Sequence, residues 1–208
     1  ARRGAAPRGI RESDLEVWES EILGYSATVL MVDISHSMVD HGEDRMTPAK
    51  MVAIGLAEHL RREGREHTLD VVAFGNAAWT IPVESIERLQ AGPFQTNTAE
   101  GLRLARRILS NRRASRKRIL MLTDGKPTCI TLDGKPYRNT VGLDRRIVER
   151  TLSEVRMCRR DGTKISTFML ARDRALVEFV KRVSEISRGK AYFTNTMSLG
   201  QFVLMDFL

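Results

Sequence analysis

Short apolar runs separated by longer amphipathic segments limit what this chain can fold into more than any other feature. The runs are Ala27-Thr28-Val29-Leu30-Met31-Val32, Leu69-Asp70-Val71-Val72-Ala73-Phe74, Arg118-Ile119-Leu120-Met121-Leu122 and residues 164–170. Short and apolar, with the first run enriched in β-branched side chains, they read as strands buried on both faces. Residues 48–63 read as a helix, with Thr47 as the capping hydroxyl, Pro48 at the first helical position and Gly64 as the stop. Met51 to Ala57 are largely apolar, so this helix should pack deep against the sheet. Residues 99–110 follow, capped by Thr98, with Leu102, Ala105, Ile108 and Leu109 facing inward and Arg103, Arg106 and Arg107 facing out. Further helices are expected over 142–161, closed by Gly162, and from an Asp173 cap to Gly189.

Residues 77–81 follow Gly75-Asn76 and read as an antiparallel edge strand stopped by Pro82; residues 191–193 make the last strand. A very apolar final helix is expected from Ser198, and a short extended segment near residues 15–19. The Gly/Pro-rich stretch 129–139 reads as a surface loop. The order βα(ββ)αβαβαβα predicts an α/β fold: a doubly wound, mostly parallel six-stranded sheet with one antiparallel edge strand and helices on both faces. Residues 1–25 are expected to be a lead-in and 26–208 a single domain, for which 208 residues supply ample core.

The chemistry gathers where strands end. Asp33, Ser35 and Ser37 follow the first run, Thr96 and Thr98 precede an amphipathic segment, and Thr123-Asp124-Gly125 follows the strand of Leu120. In a parallel α/β sheet the C-terminal strand ends share one rim, and ligands bind there. One carboxylate and two hydroxyls on a tight turn are hard oxygen donors, suited to Mg²⁺, Mn²⁺ or Ca²⁺ rather than zinc.

The ordered set Asp33-x-Ser35-x-Ser37, Thr96 and Thr123-Asp124-Gly125 resembles the metal-ion-dependent adhesion site of the von Willebrand factor A (VWA) family. The likeness runs from about Ala27 to Met205; one departure is His36, where many members carry Gly. It implies the same fold and a divalent cation, Mg²⁺ first and Mn²⁺ or Ca²⁺ as alternatives, held by Asp33, Ser35, Ser37, Thr96 and Asp124. It also implies a protein partner whose acidic side chain completes the coordination. The first strand and the closing Leu-Gly-Gln-Phe-Val-Leu segment look similar to the bacterial VWA proteins that partner MoxR-type AAA+ ATPases and to the magnesium-chelatase D-subunit group. An RNA-binding VWA domain of the Ro type and a metal-dependent hydrolase remain as alternatives.

The formal charge of +8 bears on the RNA alternative. The basic residues are mostly arginines scattered over helices and loops, and aromatics are 6% of the chain, so no run interleaves charge with base-stacking rings. Solvated faces and acidic protein partners are the expected use of this charge. Gly125-Lys126-Pro127-Thr128 lacks the first glycine of a phosphate loop, and Pro127 interrupts it. His36, His41, His59 and His67 have no zinc-type spacing, and His36 beside Ser35 and Ser37 has no nucleophile-elbow context. The chain is therefore not expected to be an enzyme. Cys129 and Cys158 form no C-x-x-C pair, and no apolar run reaches membrane-spanning length. A cytoplasmic location is the expectation.

Overall fold

The computed structural model describes residues 25–39, 44–64, 67–124, 126–170 and 174–193. The expected lead-in up to residue 24, the segment near 15–19, the Asp173 cap and the final apolar helix lie outside the described residues. The chain runs through β1 (Ser26–Asp33), a 3-10 turn (His36–Val39), α1 (Met46–Glu63), β2 (His67–Phe74), β3 (Ala78–Ile81), a second 3-10 segment (Val83–Arg88) and α2 (Thr98–Ser110). It continues through β4 (Arg116–Thr123), β5 (Cys129–Leu132), β6 (Lys135–Arg138), α3 (Arg145–Arg160), β7 (Lys164–Met169), α4 (Arg174–Ser187) and β8 (Ala191–Phe193).

The main sheet has six strands in the order β3-β2-β1-β4-β7-β8. Every neighbouring pair is parallel except β2 with β3. This is the α/β sheet expected, with its antiparallel strand at one edge. All of β1 is buried, and its alternation divides the core. Ala27, Val29 and Met31 join α2, α3 and α4 on one face, while Leu30 and Val32 join α1 on the other. Gly101 sets how closely α2 approaches. A Cβ there would lie 2.5 Å from Met31 Cε and 3.2 Å from Phe74 Cγ, so any larger residue would have to displace the end of Met31 and crowd Phe74 where α2 rests on the sheet.

Several local expectations are corrected. Thr47 does not cap α1, because the helix begins at Met46 and the Asp44 carboxylate accepts from the Thr47 amide (3.0 Å) and hydroxyl (2.6 Å). Thr98 does not cap α2 either: Asn97 Oδ1 accepts from the Glu100 amide at 3.1 Å, and Thr98 is buried. Asn outranks Thr as a cap, and the register of α2 turns Thr98 inward. Met51 faces solvent although its neighbours Ala49, Ala53 and Leu56 are core. Arg106 does not point freely outward; it reaches Glu154 (3.6 Å) and Asp161 (3.4 Å) of the α3 end.

The stretch 129–139 is a hairpin, β5 against β6, rather than a loop. Its turn is Asp133-Gly134, with φ of 48° and 76°. Two positive φ values suit the strand twist of a two-residue hairpin, and Asp-Gly is the sequence that adopts them. Ile130 anchors the hairpin by packing on Ala99 and Ile147. Among the described residues, no helix is long and apolar enough to cross a membrane.

Candidate metal centre

From β1 the chain goes to β2 on one side, and β4 takes the place on the other. The crevice beyond the C-terminal ends of β1 and β4 is therefore the point where strand order reverses, where such sheets bind ligands. Asp33 is the last residue of β1, and Asp124 immediately follows β4. Both carboxylates are buried.

Asp33 is held from two directions. Its Oδ1 accepts the Ser35 amide at 2.9 Å, and its Oδ2 accepts the Thr123 hydroxyl at 2.6 Å. The first bond closes the turn after β1; the second ties that turn to the end of β4. Ser35 Oγ lies 3.1 Å from Ser37 Oγ, and Ser37 Oγ donates to Asp124 Oδ1 at 2.8 Å. Asp124 Oδ2 accepts from Arg45 Nη1. Four of the five expected residues thus belong to one hydrogen-bonded series.

Thr96 reaches the same rim through its backbone. Its amide donates to Thr128 Oγ1 at 2.9 Å, and its carbonyl accepts the Thr128 amide at 3.0 Å. Its neighbour Asn97 donates to the Gly75 carbonyl at 2.8 Å, and the His36 amide donates to the Phe94 carbonyl at 3.1 Å. The Thr96 segment is so clamped between the exit of β2, the Ser35 turn and the segment after Asp124. Thr96 is buried, and no hydrogen bond joins its hydroxyl to the other four residues.

Burial, and secondarily the charge of Asp124, pushes the Asp33 carboxyl up from its ordinary value to about 7; bonds from Ser35 and Thr123 act against the rise. Two buried carboxylates side by side make a place that favours a cation. The group fulfilling that here is the Arg45 guanidinium, against Asp124. Among the described residues, no three of His, Cys, Asp or Glu gather as metal ligands. A cation at this rim would rest on two carboxylates and neighbouring hydroxyls, an all-oxygen set that fits Mg²⁺ or Ca²⁺ and not zinc.

Sequence reasoning missed two contributors, Thr128 and Arg45, and named Thr123 within its motif without foreseeing its bond to Asp33. Thr128 is a short hydroxyl beside a strand end, outside the recognised set. Arg45 carried no signal, because it lies outside the strand-end pattern. Cys129 and Cys158 are free and buried, and burial pushes their thiols up to about 11 and 12, so neither is a ready ligand.

The profile of the family described as Rv0959-like protein, vWA domain, matches residues 26–208. The uncharacterized protein Rv0959 of Mycobacterium tuberculosis (strain ATCC 25618 / H37Rv) is 30% identical over 205 residues, which is 96% of this chain and 30% of that protein. The uncharacterized protein Mb0984 of Mycobacterium bovis matches with the same identity and shares. The chain therefore spans less than a third of the length of these relatives. Among solved structures, the PilB minor pilin from Streptococcus sanguinis superposes with a TM-score of 0.71 at 18% identity, over 88% of this chain and 61% of that one. The vWF domain of the type V pili tip protein Mfa5 from Porphyromonas gingivalis gives 0.70 at 14% identity, over 88% of this chain and 94% of that one. BatB from Bacteroides thetaiotaomicron gives 0.63 at 16% identity, over 88% and 97%. At such identities the likeness shows the fold alone.

Proposed function

The chain belongs to the Rv0959-like vWA-domain family, and from that premise we propose that it is a protein-binding module built around a divalent cation. Asp33, Ser35, Ser37, Thr96 and Asp124 hold the cation, with Mg²⁺ as the first choice and Mn²⁺ or Ca²⁺ as substitutes. The partner is a protein that presents a carboxylate to this rim, and a MoxR-type AAA+ ATPase is the one to test first. The observation that carries the reading is the series Ser35–Ser37–Asp124, which converges with Asp33 in the β1/β4 crevice.

The residues divide the work. Ser35, Ser37 and Thr96 contribute neutral oxygens, so the site holds charge with few anionic ligands. Thr123 fixes the orientation of Asp33 at 2.6 Å. Arg45 neutralises Asp124, and its side chain, 15% exposed, sits at the edge of the rim, where it can turn to solvent. A bound Mg²⁺ supplies an electron-poor centre that an external carboxylate can complete. The β5–β6 hairpin borders this rim through Thr128 at its base and carries the exposed Leu132 next to its Asp133-Gly134 turn.

The test is a pull-down of purified ATPase by wild type and by Asp33→Ala, each in Mg²⁺ and in EDTA. Capture by wild type in Mg²⁺ alone supports the reading. Equal capture by both proteins in both buffers places recognition elsewhere.

A further inference from the structure

The opposite end of the sheet carries a feature that the rim does not use. A cavity of about 370 Å³ opens at the N-terminal ends of β4 and β7. Six cationic residues line it: Arg116, Lys117, Arg118, Lys164, Arg188 and Lys190. No carboxylate is in the lining. Among the described residues, no acidic side chain pairs with Arg116, Lys117, Lys164 or Arg188.

The fold brings these charges together from three places. Arg116, Lys117 and Arg118 open β4, and the sheet register sets Arg118 opposite Lys164 at the start of β7. Arg188 and Lys190 flank Gly189 in the turn from α4 to β8. A Cβ on Gly189 would lie 1.8 Å from the Ile165 carbonyl oxygen, so this turn lies directly on the start of β7. The Thr167 amide then donates to the Lys190 carbonyl at 2.9 Å. Arg188 itself has φ of 55°, a left-handed conformation in which glycine is the favoured residue after a helix. A non-glycine residue held there points to a use for its side chain.

Like charges gathered around so small a volume repel one another, and a multiply charged anion relieves that repulsion. The C-terminal ends of α3 and α4 face this end of the sheet and favour nearby cations. Two helix ends do not account for the four cations that have no acidic partner among the described residues. The lining contains no aromatic residue, so it offers no surface for stacking a nucleic-acid base. Its volume is that of a small-molecule pocket and not of a groove that tracks a strand.

We infer that this basal cavity binds a compact polyphosphorylated anion, a ligand carrying several phosphate groups close together. The site is independent of the metal rim: the eight residues of β4 put it on the order of 20 Å from Asp124 at the rise of an extended strand.

Calorimetry with inorganic triphosphate and with monophosphate, at about 0.15 M ionic strength to screen exposed charges, tests the assignment. Triphosphate should bind at least about tenfold more tightly than monophosphate, and Lys164→Gln should weaken it by a similar factor. Arg188→Gly is the second variant. It should raise the melting temperature, because glycine accepts the left-handed conformation, and at the same time weaken triphosphate binding. Both variants should keep the wild-type response of the melting temperature to Mg²⁺. Vesicles bearing a polyphosphorylated lipid headgroup separate the sources: co-sedimentation assigns a headgroup, binding of soluble triphosphate alone assigns a free ligand, and either upholds the site. The inference is overturned if triphosphate gains nothing over monophosphate, if both variants bind as wild type does, or if a short single-stranded RNA binds and triphosphate does not displace it.

Discussion

Arg45 and Asp124 form an ion pair at the candidate metal centre, with Arg45 Nη1 donating to Asp124 Oδ2. The aspartate side chain is fully buried, and the arginine side chain is 15% exposed. The pair joins the residue before α1 to the residue after β4. It places an internal positive charge where the proposed function calls for an external one, so Arg45 and a divalent cation should compete for Asp124.

Arg45→Ala tests that competition. Leaving a buried carboxylate without its partner is expected to destabilise the ion-free protein by about 3 kcal/mol. The same change should tighten Mg²⁺ binding and enlarge the rise in melting temperature that Mg²⁺ produces. Thermal melts in EDTA and in millimolar Mg²⁺ measure both. Unchanged melts in both buffers would mean that the pair contributes nothing in solution.

Asp33 makes the ion-free protein sensitive to pH. Its carboxyl is raised from 3.8 to about 7 in the fold, so the folded state holds this proton more tightly than the unfolded chain does. The associated stability is fully present below about pH 4 and is lost as pH rises through about 7. The span corresponds to a contribution on the order of 4 kcal/mol from this group. Asp33→Asn, which cannot ionise, should remove the contribution. Urea titrations in EDTA at several pH values, wild type against Asp33→Asn, check it: the difference in stability between the two proteins should change across that window. A difference independent of pH would show that Asp33 is not raised.

Rim and core substitutions should differ in kind. Leu120 lies in the α1-side core and is fully buried, so Leu120→Ala should cost about 2–5 kcal/mol whatever the metal content. Asp124→Ala removes no core packing and leaves Asp33 without a neighbouring like charge, while Arg45 can turn to water. Its ion-free stability should stay close to wild type, and Thr96→Ala should behave similarly, while metal-dependent partner binding collapses in both. Calorimetry of partner binding in Mg²⁺ and in EDTA decides the matter. Wild-type affinity in both variants and both buffers would leave the rim without a role in adhesion.

The hairpin should set partner choice through its exposed tip. Replacing all of 128–139 is too blunt, because Thr128 holds Thr96 and Ile130 packs on Ala99 and Ile147. Leu132→Asp alters only an exposed position. Its melting temperature and Mg²⁺ response should match wild type, since surface changes of this sort usually stay within about 0.5 kcal/mol. Partner affinity should fall about tenfold or more, as expected for the loss of an apolar interface contact worth more than 1 kcal/mol. Undiminished affinity would assign specificity to another part of the rim.

The fold was legible because burial imposes a period. β1, β4 and β7 are apolar on both faces, and only a sheet covered by helices on both sides accommodates such runs. The same logic placed β3 at the edge, next to Pro82, and ended α1 at Gly64 and α3 before Gly162. The caps were less legible. Thr47 and Thr98 have the right chemistry, but neighbouring Asp44 and Asn97 have it too, and the register of each helix decides which oxygen meets the free amides. The hairpin carried its signal openly in Asp133-Gly134. The surrounding Gly and Pro residues suggested a loop because periodicity over four-residue strands is too short to read.

The site divides along the same line. The sequence by itself determined that Asp33, Ser35, Ser37 and Asp124 stand at strand ends, because strand ends follow from the apolar pattern. The tertiary structure decided how those oxygens meet: Thr123 reaches Asp33, Ser37 reaches Asp124, and Thr128 clamps Thr96. It alone brought Arg45 onto Asp124 and six basic residues around one cavity at the far end of the sheet. These are contacts between residues far apart in the chain. Charge and hydroxyl groups have no periodicity that records their partners, so their meeting is fixed by strand order and register and cannot be read from local sequence.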